Sequence, residues 1–125
     1  MILKEMHYTC DEICENLATG TYKGHEYVVR NYGSHPCCYV SIPEGQAINE
    51  NSIVCHGGIT YNGESLPDEE HVDGLWWIGW DYAHCGDYIF TGRDPKPHEK
   101  CWCSAELERD CLKVIDQLEE RKNEQ

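Results

Sequence analysis

Leu-Trp-Trp-Ile-Gly-Trp, residues 75–80, is the most apolar segment of this 125-residue chain and decides its fold. A membrane span needs about 20 apolar residues, whereas a short run rich in aromatic side chains is typical of a buried strand. We therefore expect residues 75–80 to form a central strand. Side chains alternate along a strand, so Trp76 and Trp77 face opposite sides, and Gly79 leaves space beside Trp77 for the floor of a pocket.

Further strands are predicted before this segment. Residues 22–30 and 37–42 have the composition of strands, and residues 31–36 between them read Asn-Tyr-Gly-Ser-His-Pro, which is typical of a turn. These residues predict a hairpin. Another strand is predicted over residues 53–61, with a bulge or a close backbone approach at the two glycines in its middle.

A helix is predicted at each end of the chain. Thr9 to Glu12 match a capping box, which indicates a short helix over about 10–18. Toward the other end, apolar residues with helical spacing predict a helix over about 101–121: Leu107, Cys111, Val114, Ile115 and Leu118. Its outward face is predicted to carry six charged residues: Glu108, Arg109, Asp110, Lys113, Asp116 and Glu120.

The order of these elements predicts one α+β domain over residues 1–125. We expect an antiparallel or mixed sheet of about five short strands, with the C-terminal helix and the short N-terminal helix packed on it. The closest alternative, two domains, does not suit a chain of 125 residues.

Charge limits the kinds of partner. Ten Lys and Arg against 23 Asp and Glu give a formal net charge of −13. Nucleic-acid binders displace counterions from phosphates with basic charge, so no direct DNA or RNA partner is expected. The 62 residues between Arg30 and Arg93 contain nine carboxylates and no Lys or Arg. A site built there would repel a bare phosphate and suit a cation, a neutral ligand or a metal-bridged phosphate.

Cysteine usage indicates the compartment. The nine cysteines are an odd number, and the charged first twenty residues contain no apolar leader segment. A chain of this length also folds without disulfides. We interpret the cysteines as reduced thiols, mostly buried, and predict a cytoplasmic protein without a membrane segment.

Two glycine-flanked histidine segments carry the candidate chemistry. Residues 55–60 read Cys-His-Gly-Gly-Ile-Thr, and residues 81–87 read Asp-Tyr-Ala-His-Cys-Gly-Asp. Each lies at the break or the end of a predicted strand. If those strands are neighbours, four titratable side chains converge: His56, Asp81, His84 and Asp87. An imidazole oriented by a carboxylate is what general acid–base catalysis needs near neutral pH.

Each of the four has an expected role. We assign His84 as base or ligand, Asp81 or Asp87 as its orienting partner, and His56 as second ligand or acid. Imidazole and carboxylate are also ligands of divalent metals, so His84 and Asp87 are the candidate metal ligands, with no particular metal indicated. The alternative is structural, because His and Asp in glycine-rich loops often cap backbone amides and do nothing else.

Four further residues are predicted to contact a ligand. The amides of Gly57 and Gly58 would donate hydrogen bonds to an oxyanion, and Thr60 and Trp77 would line the site. A structural zinc site on Cys101 and Cys103 is the weaker alternative, because paired Cys-x₂₋₄-Cys knuckles are lacking and core filling is favoured.

Four motifs follow one another along the chain: Tyr22-Lys23-Gly24; Cys38-Tyr39-Val40-x-Ile42-Pro43-x-Gly45; Val54-x-His56-Gly57-Gly58-Ile59-Thr60-Tyr61; and Trp76-Trp77-x-Gly79-x-Asp81-x-Ala83-His84-x-Gly86-Asp87. In this order and spacing, residues 21–118 resemble a family of small uncharacterised bacteriophage and prophage proteins. Residues 1–20 lie outside the resemblance. It departs at Gln46-Ala47, where the family has His-Pro, and at Tyr82, where a cysteine is usual. It implies a phage or prophage gene expressed inside a host bacterium, and it favours one site built from both histidine segments.

Three functions are consistent with these features. The first is a small-molecule site, hydrolytic with or without a divalent metal, or purely binding. The second is a non-enzymatic sponge for a host nucleotide signal, with tryptophans stacking on bases and Arg30, Arg93 or Lys96 on phosphates. The third is an acidic inhibitor of a host DNA-binding protein, acting through the loop 64–73 and the helix carboxylates. An oligomer is compatible with all three.

Overall fold

The computed structural model describes residues 15–31, 35–46, 48–67, 69–89 and 96–123. Five antiparallel strands form one sheet in the order β1-β2-β3-β5-β4. The strands are β1 Glu15–Tyr22, β2 His25–Asn31, β3 Pro36–Pro43, β4 Tyr61–Gly63 and β5 Leu75–Asp81. A 3-10 helix spans Glu50–Ser52, and helix α1 spans Ser104–Asn123. The predicted α+β fold, with about five strands and a C-terminal helix, is confirmed.

The prediction of an N-terminal helix over 10–18 is wrong for residues 15–18. They belong to β1, which pairs with β2 from Glu15 opposite Asn31 to Tyr22 opposite His25. Pairing with a neighbouring strand overrides a local helix signal, because it satisfies the backbone groups along the whole segment. Residues 10–14, with Cys10 and Cys14, lie outside the described residues.

The strand predicted over 53–61 is present only at its end, where Tyr61–Gly63 forms β4. The backbone of Val54 is paired with a side chain instead. Oε1 of Gln117 accepts from the Val54 amide at 2.7 Å, and Nε2 of Gln117 donates to the Val54 carbonyl at 2.7 Å. This pair of hydrogen bonds replaces a strand partner and fixes the start of the glycine-rich loop on α1.

Helix α1 covers one face of the sheet, as predicted. The five residues of the predicted stripe are all buried: Leu107, Cys111, Val114, Ile115 and Leu118. They pack in one cluster with alternate residues of the central strands, including Val40, Ile78 and Trp80. β5 lies between β3 and β4 rather than at an edge, so residues 75–80 form an interior strand.

A smaller cluster forms on the opposite face, where Val28, Tyr39 and Leu66 pack with Trp77. The space expected beside Gly79 is occupied by the ring of Tyr39. A Cβ built on Gly79 would lie 2.6 Å from Cδ1 of Tyr39, so only glycine permits this contact. Gly79 therefore seats an aromatic ring of the core.

Three carboxylates of the predicted outward face of α1 hydrogen-bond tyrosine hydroxyls rather than standing free. The hydroxyl of Tyr82 donates to Asp110 at 2.7 Å, and that of Tyr22 donates to Asp116 at 3.0 Å. The hydroxyl of Tyr27 donates to Glu108, and this hydrogen bond raises the pKa of Tyr27 to about 12. The carboxylates of Glu108, Asp110 and Asp116 therefore connect the helix to the sheet by hydrogen bonds and do not form a free acidic surface.

The described cysteines are free thiols, and their burial differs. Cys37, Cys38 and Cys111 are buried, whereas Cys85 is exposed. Burial raises the pKa of Cys37 to about 12, which keeps this thiol protonated. In the part of the chain that the structure describes, no helix is long and apolar enough to cross a membrane.

Candidate functional site

The two histidine segments meet at the end of β5. Gly57 and Gly58 form a turn with φ of +72° and +83°, closed by a hydrogen bond from the Gly58 amide to the Cys55 carbonyl. The ring of His84 lies against this turn, because a Cβ built on Gly57 would stand 2.1 Å from Nε2 of His84. Glycine is required there both for its positive φ and for the close approach of the ring.

His56 and Asp87 form the best-defined pair of the site. Nε2 of His56 lies 2.7 Å from Oδ2 of Asp87. Asp87 is only 4% exposed, and two more groups donate to its carboxylate: the His84 amide at 3.0 Å and Nε1 of Trp102 at 2.8 Å. Three donors therefore fix this carboxylate in place.

The same contacts set the charge of Asp87. Burial acts to raise the pKa of its carboxyl group, but the hydrogen bonds from the His84 amide, His56 and Trp102 outweigh it. The pKa of Asp87 consequently lies below its ordinary value. Asp87 is thus a carboxylate at neutral pH and favours a proton on the Nε2 atom that faces it.

Aromatic rings hold His56 on two sides. Its ring stacks on Tyr82 with centroids 4.6 Å apart and planes 8° apart, and it meets the edge of Trp102 at 5.0 Å. The side chain is 27% exposed, and no described residue hydrogen-bonds its Nδ1. One ring nitrogen is therefore bound to Asp87, while the other has its lone pair directed away from that carboxylate.

Tyr82 provides a rigid floor for the imidazole. It is completely buried, and its hydroxyl accepts from Nε1 of Trp80 at 3.0 Å while donating to Asp110. Burial raises the pKa of Tyr82 well above its ordinary value, so the phenol stays neutral. The residue is a support and not an acid or a base.

A second pair lies beside the first. Nε2 of His84 is 3.2 Å from Oδ1 of Asp81, whose other oxygen accepts from the Thr60 hydroxyl at 3.2 Å. This His84 contact lacks hydrogen-bond geometry, and the buried Nε2 atom has no hydrogen-bond partner among the described residues. The ring centroids of His84 and His56 are 5.5 Å apart, so the two imidazoles are neighbours. The structure brings together all four predicted titratable residues and Thr60.

Two predicted ligand contacts take other positions. Trp77 is buried in the cluster on the opposite side of the sheet, about 13 Å along β5 from Asp81. The amide of Gly58 already donates to Cys55 and closes the turn. Neither group faces the imidazole of His56.

The predicted metal ligands are not arranged around a common point. Nε2 of His84 faces Asp81, whereas the carboxylate of Asp87 accepts three hydrogen bonds from other groups. Within the described ranges, no group of three or more His, Cys, Asp or Glu side chains is placed to hold a metal ion. This geometry supports neither a metal on His84 and Asp87 nor a zinc on Cys101 and Cys103.

Trp102 contacts both His56 and Asp87, and it was not predicted from the sequence as part of this site. A short parallel bridge pairs Asp87 with Lys100, and the Lys100 amide donates to the Gly86 carbonyl at 2.7 Å. This bridge places Trp102 against Asp87 and His56. The only signal in the sequence is a tryptophan between Cys101 and Cys103, just before the helix.

Comparison with known proteins leaves the chain without an assigned family. No family model, no curated protein and no solved structure matches it. The resemblance to bacteriophage and prophage proteins therefore stays a prediction.

Proposed function

We propose that this chain is a phage or prophage accessory protein that hydrolyses a small molecule, with His56 as general base. The observation that carries the proposal is the 2.7 Å hydrogen bond between His56 and a buried, ionised Asp87. A carboxylate with three fixed donors orients the ring and stabilises the imidazolium that forms when the ring takes a proton.

The proposed step uses the free nitrogen of His56. Nδ1 removes a proton from water as the oxygen attacks an electrophilic carbon or phosphorus, and Asp87 stabilises the resulting imidazolium through Nε2. The proton then passes from Nδ1 to the leaving group. The ring centroid of His84 lies 5.5 Å from that of His56, and because Nε2 of His84 is buried beside Asp81, a protonated His84 would donate to the developing oxyanion through Nδ1.

In this step Asp87 does not act as a metal ligand. Its two oxygen atoms accept from His56, Trp102 and the His84 amide, so the carboxylate is committed to positioning. Dialysis against a chelator is therefore expected to leave the hydrolytic rate unchanged.

The two alternative functions receive less support. A nucleotide sponge needs cationic side chains for phosphate, yet Arg30 is buried and paired with Glu69. An acidic inhibitor needs free carboxylates on α1, yet Glu108 and Asp116 hydrogen-bond tyrosines of the sheet. The hydrolytic proposal uses the histidine segments, which both alternatives leave without a role.

Hydrolysis of p-nitrophenyl acetate by purified protein tests the proposal. We expect His56→Gln to lower the rate by about 100-fold, the usual contribution of a positioned general base, and Asp87→Asn to lower it substantially. His98→Gln is the matched control, because it removes an exposed histidine outside the site. Circular dichroism verifies the fold of each variant.

Equal rates for the wild-type protein and folded His56→Gln would contradict the general-base role. A similar loss in His98→Gln would show that the activity is the ordinary reactivity of surface imidazoles. A rate that disappears on chelation would contradict the metal-independent step.

A further inference from the structure

A cavity lies on the face of the sheet opposite α1. Its volume is about 520 Å³. Val28 and Trp77 lie at its apolar floor, and Leu66 and Leu75 form one side. Trp77 is about 13 Å along β5 from Asp81, so this cavity is distinct from the histidine site.

The wall contributed by the loop after β4 is fixed at two points. Arg30 donates to the Pro67 carbonyl at 3.3 Å and pairs with the carboxylate of Glu69. Further along, Nε2 of His71 lies 3.2 Å from Oε1 of Glu44, the residue that follows β3. The loop therefore gives the cavity a defined side.

The charge that remains in the cavity is negative. Arg30, its one basic lining residue, is neutralised by Glu69, which also lines the cavity. Glu26 lines the same cavity and is exposed, and no described residue forms an ion pair with it. Thr21 lies opposite Glu26 in the β1–β2 register and lines the same cavity.

From this arrangement we propose that the cavity binds a small organic cation with an apolar body, such as an arylalkylammonium. The apolar body would lie on Val28 and Trp77, and the ammonium group would pair with Glu26. Arg30 would not compete for Glu26, because it is paired with Glu69. An anion would meet the uncompensated Glu26 within a chain of net charge −13.

The size of the cavity favours a small molecule over a protein segment. A volume of 520 Å³ falls within the roughly 300–1,000 Å³ of ordinary ligand sites. The lining is mixed: five of its twelve residues are polar or charged, and the other seven are apolar, aromatic or glycine. The unpaired carboxylate of Glu26 favours a cationic group on the ligand, and the apolar floor of Val28 and Trp77 favours an apolar body.

Two-dimensional ¹H–¹⁵N NMR titration with 2-phenylethylammonium tests this proposal, and 3-phenylpropionate is the anionic counterpart of matched shape. We expect the ammonium to cause saturable shifts at Glu26, Val28 and the Trp77 indole, and the carboxylate to cause none there. Glu26→Gln should weaken ammonium binding about two- to fivefold, the range of a surface ion pair. Glu120→Gln removes the same charge from the exposed side of α1 and should leave the affinity unchanged.

The proposal is overturned if both probes bind equally, if neither shifts these residues, or if Glu26→Gln binds the ammonium as tightly as the wild-type protein. It is also overturned if a lysine-containing peptide shifts these residues while the ammonium does not, because the occupant would then be a protein segment. None of these outcomes depends on the hydrolytic role of His56.

Discussion

The ring of His84 lies so close to Gly57 that a Cβ on Gly57 would stand 2.1 Å from its Nε2 atom. This contact joins the two histidine segments, which are separated by more than twenty residues in the sequence. It also explains why the segment after His56 requires glycine. A matched pair of substitutions separates the two reasons for glycine in this turn.

Gly58→Ala tests backbone strain alone, because nothing lies within 4 Å of its added Cβ although φ is +83°. We expect it to lower the free energy of unfolding by about 1–2 kcal/mol. Gly57→Ala should cost this amount plus about 1–3 kcal/mol for overpacking against His84. Urea denaturation measures both. Equal losses would contradict the contact between Gly57 and the His84 ring. Adding His84→Ala should restore part of the stability lost in Gly57→Ala and none of that lost in Gly58→Ala.

Tyr82→Phe should destabilise the protein while leaving the floor under His56 in place. The substitution removes the acceptor of Trp80 Nε1 and the donor to Asp110, both at a buried position, so we expect a loss of about 1–3 kcal/mol. Tyr22→Phe removes a half-buried hydrogen bond to Asp116 and should cost less, about 0.5–1.5 kcal/mol. Thermal unfolding compares the two variants, and equal losses would argue against a buried network at Tyr82.

Asp87→Asn should reduce stability most at neutral pH and least in acid. The pKa of Asp87 is lowered in the folded protein, so its ionised form stabilises the fold above the ordinary aspartate pKa of about 3.9. That contribution is lost as the pH falls through the lowered pKa of the folded state. Urea denaturation from pH 7 to pH 2 should show the difference between wild-type protein and variant shrinking below about pH 4. A constant difference would contradict the stabilised carboxylate.

Gln117→Ala should loosen the loop that precedes His56 without unfolding the protein. Both hydrogen bonds to the Val54 backbone are lost, and one hydrogen bond of about 1 kcal/mol corresponds to roughly fivefold faster exchange of the Val54 amide. Lys113→Ala, on the exposed side of α1, is the matched control. Hydrogen exchange followed by NMR measures this rate. Unchanged exchange at Val54 would show that Gln117 does not hold the loop.

The elements that alternation or helical spacing marks strongly could be predicted from the sequence. β2, β3, β5 and the buried stripe of α1 all lie where their patterns indicate, because burial of one face is encoded in the local order of side chains. β1 was missed because its helix signal is local, whereas its pairing with β2 depends on residues further along the chain. The same limit applies to Val54, whose backbone amide and carbonyl hydrogen-bond the side chain of Gln117, 63 residues further along the chain.

The site shows a similar division. The convergence of His56, His84 and Asp87 was predictable because both segments flank predicted neighbouring strands. The histidine that pairs with Asp87 could not be predicted. The spacing along the chain favoured His84, but in the folded loop Nε2 of His56 hydrogen-bonds Asp87. Trp102 was missed because its position depends on a bridge between two loops that no periodicity marks.

The central claim is that Nδ1 of His56 is a free base, and identifying which ring nitrogen carries the proton tests it most directly. Long-range ¹H–¹⁵N correlation spectra of the histidine rings, recorded at a pH where His56 is neutral and assigned with His56→Gln, identify that nitrogen. Because Nε2 donates to Asp87, the account predicts the proton on Nε2 and an unprotonated Nδ1. A proton on Nδ1 would contradict the account, because that nitrogen could not then remove a proton from water.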